Sequence, residues 1–131
     1  MASVFPLSNY YTKSLALSDN NLTTLYTCGD QSELAFDVTG LSVSATTANA
    51  DTCSVYHTVG GTNFCFVFKG PVEADFPLQI EGLPIHMVPG DIIKVQATAG
   101  ATNALHAHIS GIKTTRTPTS TVGIVAKSQQ R

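Results

Sequence analysis

Apolar and polar residues alternate along much of this chain. Leu34, Phe36 and Val38 are separated by Ala35 and Asp37, and after Gly40 the apolar positions resume at Leu41 and Val43. Val55 and Val59 alternate with Ser54 and Thr58, and Ile93, Val95 and Ala97 with Lys94 and Gln96. Leu105, Ala107 and Ile109 alternate with His106, His108 and Ser110. A period of two places successive side chains on opposite faces of a strand, one toward a core and one outward. Thr, Val, Ile, Tyr and Phe dominate these runs and suit a pleated, half-buried surface. No window carries an apolar period of 3.6, so no helix is predicted.

Turn-forming residues divide these runs at the short spacing of an all-β fold. They fall at Asp19-Asn20-Asn21, Cys28-Gly29-Asp30, Gly60-Gly61, Lys69-Gly70-Pro71, Pro89-Gly90-Asp91 and Gly100. Gly60-Gly61 between two strand patterns predicts a two-residue hairpin, and Pro89-Gly90 is the favoured central pair of a type II turn. The pattern predicts an antiparallel β-sandwich or jelly-roll-like barrel of about eight short strands over residues 12–112. Extended arms are expected on either side: an N-terminal arm at 1–11 and a basic, Thr-rich C-terminal tail at 113–131. One segment breaks the alternation. In Phe64-Cys65-Phe66-Val67-Phe68 the three Phe share one face of an ideal strand, with Cys65 and Val67 on the other. Such a strand is expected to be covered on both sides, as a central strand under a loop or by a second subunit.

Composition narrows the function. The chain has 131 residues, enough for one core, and is 43% hydrophobic but only 12% charged, about half the usual share. Ser and Thr, 28 residues together, take the place of charge. A surface poor in charge suits burial against a partner. The net charge of −2 is uneven: residues 1–112 hold three Lys and nine Asp or Glu, whereas 113–131 hold Lys113, Arg116, Lys127 and Arg131 and no acid. Four cations without interleaved aromatics make a poor phosphate-binding pattern, so nucleic acid is not the expected partner. No charged and apolar leader opens the sequence, and no run approaches the roughly 18 apolar residues of a membrane span, so a soluble protein made in a cytoplasm is expected. Cys28, Cys53 and Cys65 lack metal-site spacing and read as small apolar core residues.

Catalytic motifs are missing from the sequence. It contains no phosphate-binding glycine loop, no G-x-S-x-G and no H-E-x-x-H. Most acids sit at turns, where Asp bonds local backbone; Glu73, Asp75 and Glu81 are the carboxylates that a fold has to bring together for acid–base work. The expectation is a protein that is not an enzyme and needs no cofactor. The histidines form the one constellation: His106 and His108 project from one face of a strand, and His86 faces away from Ile85 and Met87. Three readings stay open for them, namely a polar outer stripe, a pH-sensitive subunit contact, and a shared metal site should the last strand pair near residues 84–88.

The run from Pro84 to Ala97, with Pro89-Gly90-Asp91 and the alternating Ile93, Val95 and Ala97, resembles a recurrent ending of small bacteriophage virion proteins. Ala104–Ser110 takes the place of their final strand, and Leu22-Thr23-Thr24-Leu25-Tyr26-Thr27 looks like their opening Thr-rich strand. The resemblance spans roughly residues 12–112 and departs at 45–75 and in the basic tail. It implies a structural virion protein assembled in the host bacterial cytoplasm, chiefly a capsid cement or decoration protein. Its expected partners are copies of itself, with a trimer favoured, and the major capsid protein or other virion proteins. A neck, tail or fibre component is the alternative; a glycan-binding module and a cupin-like metal enzyme are rivals of other classes. The candidate interface residues are Phe5, Tyr10, Tyr11, Phe64, Phe66, Phe68, His86, His106 and His108.

Overall fold

A computed structural model of the protein describes residues 6–29, 33–46, 51–99 and 105–116. Phe5 and most of the C-terminal tail lie outside them. The described residues form eight strands and no helix: β1 (Pro6–Leu17), β2 (Thr23–Thr27), β3 (Glu33–Ala45), β4 (Asp51–Val59), β5 (Thr62–Val72), β6 (Leu78–Met87), β7 (Ile92–Ala97) and β8 (Leu105–Arg116). They make two four-stranded antiparallel sheets, ordered β1-β8-β3-β6 and β2-β7-β4-β5. Strands 1 and 8, 2 and 7, 3 and 6, and 4 and 5 are all paired. The chain is therefore a long hairpin closed at residues 59–62 and rolled up, which is the strand order of a jelly roll. Of the two architectures expected from the alternation, the rolled one is adopted.

The inner faces carry the core. Leu17, Phe36, Leu41, Val43, Leu105, Ala107 and Ile109 come from one sheet and Tyr26, Cys53, Val55, Ile93, Val95 and Ala97 from the other. Burying each large side chain contributes roughly 1.5–3 kcal/mol. Alternation in β7 and β8 is as expected, and β3 keeps its core face across an odd step. Val38 and Leu41 lie three apart, and the ladder shifts between Val38 and Gly40, returning Leu41 to the inside.

Both expected turns are present. Gly60 and Gly61 have φ of +59° and +84°, a pair of left-handed residues that the twist of a tight hairpin demands. Asp91 N donates to Val88 O at 3.0 Å across Pro89-Gly90, with Gly90 at φ +97°. The β1–β8 ladder runs unbroken to Pro6↔Arg116, so the positions 11/12 and 112/113 fall inside paired strands.

Three local expectations are corrected. Val59 faces solvent at 41% exposure, whereas Thr58 is buried and donates to Asn63 Oδ1. Irregular pairing of β4 with β5, and the proximity of Val59 to the Gly60-Gly61 turn, account for this. Cys65 is exposed, unlike the buried Cys28 and Cys53. Finally, β5 is an edge strand rather than a central one.

Candidate assembly surfaces

Two edges of the sandwich hold the candidate aromatic residues, and each presents them differently. On β1, Tyr10 lies opposite Ile112 and Tyr11 opposite Gly111, so the adjacent tyrosines face opposite ways. Tyr10 is 83% exposed. Tyr11 packs inward, its ring 5.6 Å from that of Tyr26 and 6.2 Å, edge-on, from Phe36. Lys113 Nζ sits 4.2 Å from the Tyr11 ring centroid, a cation–π contact. Gly111 makes room for this packing: a Cβ there would lie 2.5 Å from Asp37 O and 2.5 Å from the Phe36 ring.

Beside these rings lies a buried polar corner. Tyr26 donates a short hydrogen bond to Glu33 Oε2, and Gly29 N donates to Glu33 Oε1 at 3.0 Å. Burial, and then the bond to Glu33, push the Tyr26 hydroxyl far above its ordinary pKa. Burial, with the Glu33 charge next, pushes the Cys28 thiol up to about 12; Cys53, on β4 of the same sheet as β2, rises to about 11 through burial.

On β5 the three phenylalanines do not share a face, because two irregularities divide them. Phe66 has no partner between the pairs Tyr56↔Cys65 and Val55↔Val67, and Phe68 with Lys69 together oppose Ser54. Lys69 has φ of +51°, and its N–H donates to Ser54 Oγ at 2.9 Å. As a result Phe66 packs against the core, Phe64 lies opposite His57 at 56% exposure, and Phe68 stands 70% exposed. Phe68 lines an outer-face hollow with Asn20, Tyr56 and Gln96.

The histidines do not converge. Strand β3 lies between β6 and β8, so His86 pairs with Asp37, which is level with Ile112, four residues beyond His108. His86 Nδ1 makes a short bond to Asp37 Oδ1. His106 and His108 stay together on the outer face of β8. The cupin-like reading needs its histidines inside the barrel; the interior is occupied instead by side chains such as Phe36, Met87 and Ile93. Glu73, Asp75 and Glu81 are all exposed, and among the described residues no three His, Cys, Asp or Glu group as metal ligands.

One contact has no counterpart in the alternation or the turn residues. His57 Nε2 lies 3.1 Å from Asp91 Oδ2, which also accepts from Val88 N at 3.2 Å. Asp91 thereby ties the β6–β7 turn to β4, the strand that pairs with β7. A turn aspartate was expected to bond locally, and only the pairing His57↔Ile93 reveals its second partner.

No protein-family model matches the sequence, and no curated protein matches it. The chain is similar in structure to a chain of the acid-stable capsid structure of Helicobacter pylori bacteriophage KHP30, at 9% identity over 86% of this chain and 93% of that one, with a TM-score of 0.48. A chain of the disulfide-linked pili of Bacillus endospore appendages is 13% identical over 88% of this chain and 90% of that one, with a TM-score of 0.47. A chain of infectious bursal disease virus strain Gt is 10% identical over 88% of this chain but 33% of that one, with a TM-score of 0.40. Identities and scores this low do not assign the chain to any of these assemblies.

Proposed function

We propose that this protein is a structural subunit of a bacteriophage particle, a cement or decoration protein that binds between capsid subunits as a homo-oligomer, with three copies favoured. A jelly roll serves capsid, lectin and cupin domains alike, so the reading rests on surfaces and not on the fold. The observation that carries it is the edge of β1: twelve residues paired on one side only, without a bulge, with Tyr10 fully displayed beside it. Edges of this kind pair with other chains unless they are blunted. β1 carries Lys13 and, at its first position, Pro6, but its ladder is continuous; the other three edges are interrupted. β2 has five residues and a bulge, β5 has two irregularities and Pro71, and the β6 ladder skips Gly82, Leu83 and Pro84. A head-to-tail contact between this edge and a different surface of the neighbour generates a ring where its rotation closes, and identical copies then engage a symmetric capsid with avidity.

The test is the solution mass of the full-length chain by light scattering. A trimer or larger ring is expected, and Tyr10→Ala with Thr12→Asp is expected to reduce it to monomers that keep the β circular-dichroism signature and whose thermal midpoint no longer rises with concentration. A wild-type monomer at high concentration overturns the self-assembly part of the reading. Co-pelleting with isolated phage heads, absent with tails, separates the decoration role from a neck, tail or fibre position.

A further inference from the structure

His106 and His108 stand on the outer face of β8, two residues and therefore about 6.7 Å apart along the strand. Their cross-strand neighbours are small on both sides: Ala16 and Ser44 flank His106, and Ser14 and Ser42 flank His108. Directly opposed residues share a face. The two imidazoles thus rise above a low floor, at the edge of an open hollow of about 370 Å³ lined by Ser14, Leu15, Ala16, Ser44 and Ala107. His108 is held in place, since its Nδ1 lies 2.7 Å from Ser14 Oγ. In the tautomer that carries its proton on Nδ1 and donates it to Ser14 Oγ, the Nε2 lone pair points away from that bond and is available to a ligand. Fixing one ring nitrogen to orient the other is how metal-binding histidines are usually prepared.

We propose that His106 and His108 bind one divalent ion of the first transition row, of the class Cu²⁺, Ni²⁺ or Zn²⁺, with Ser14 as the positioning residue. Imidazole nitrogens suit these ions, with Cu²⁺ held most tightly, and do not suit Mg²⁺ or Ca²⁺. The chain supplies two ligands, and the remaining positions on the ion face outward and are open to water. His86 takes no part: β3 separates its strand from β8, and its own Nδ1 is engaged by Asp37.

Equilibrium dialysis of the untagged full-length chain against CuCl₂, NiCl₂, ZnCl₂ and MgCl₂ tests this, in a Cys65→Ser background so that the exposed thiol takes no ion. One Cu²⁺ per chain is expected, with weaker Ni²⁺ and Zn²⁺ and no Mg²⁺. His106→Ala and His108→Ala are each expected to weaken Cu²⁺ at least tenfold. Ser14→Ala is expected to weaken it about tenfold, and Ser14→Thr to restore it. His86→Ala, equally exposed, leaves it unchanged. The fold is checked by circular dichroism, since all four side chains are exposed. Uptake that survives loss of both His106 and His108, or that falls as much in His86→Ala, overturns the proposal.

Discussion

Strands β1 and β5 are both edge strands, one in each sheet, and they offer a neighbour opposite things. β1 offers backbone: its ladder to β8 is regular, and its inward Tyr11 packs against Phe36 and Tyr26. β5 offers side chains: its irregular pairing turns Phe64 and Phe68 to solvent and makes its outer rim a poor template for another strand. An edge that is straight because its inner face is tightly packed stays competent for strand addition. An edge relieved by bulges gives that up and gains displayed rings.

If β1 is straight because of its packing, removing that packing has the largest effect. Phe36→Ala deletes the ring on which Tyr11 and Tyr26 rest and is expected to cost about 3–5 kcal/mol in urea unfolding. Glycine substitutions sharpen the contrast. Gly111→Ala, beside Tyr11, drives a methyl into the Asp37 carbonyl and the Phe36 ring and is expected to cost about 1–3 kcal/mol. Gly70→Ala on β5 meets only the side-chain ends of Val67 and Leu78, and a smaller loss is expected. A Gly70 variant as unstable as the Gly111 variant would show that β5 is not the pliable edge.

Two buried thiols, one just after β2 and one on β4 of the same sheet, report on stability through pH. Cys28 and Cys53, whose ordinary value is 9.0, keep their protons to about 12 and about 11 when folded. Only the unfolded chain ionises in that interval. Stability from this source is intact below pH 9 and falls above it, toward 11 for Cys53 and 12 for Cys28, by on the order of 1 kcal/mol per pH unit for each thiol. Urea midpoints from pH 8 to 11 check this, and Cys53→Ala is expected to flatten the fall. The smallest effect belongs to Phe68→Ala, expected to change stability by less than about 0.5 kcal/mol because the ring is exposed.

Much of this arrangement is readable in the alternation. Ile93, Val95 and Ala97, and Leu105, Ala107 and Ile109, announce their core faces because β7 and β8 are interior strands paired on both sides. The glycine and proline turns at 60–61 and 89–90 are legible because their φ requirements are local. The face of each β5 phenylalanine is not legible: a bulge is decided by the partner strand, and two of them reverse the parity that the sequence implies. The separation of His86 from His106 and His108 follows from β3 lying between them, a fact of strand order that no spacing encodes. Cys65 looked like a core residue by its apolar neighbours, and became exposed when β5 took an edge.

The pairing of β1 with β8 also bears on time. Leu17 pairs with Leu105, so β1 waits for a partner encoded about 90 residues later, roughly 5–20 s at ordinary rates of synthesis. Until then both rims of β1 are bare and β3 lacks its neighbour β8. A topology so dominated by distant pairings folds slowly. The strand made first is therefore completed by the strand made last, and the β1-β8-β3-β6 sheet closes only once β8 has been made.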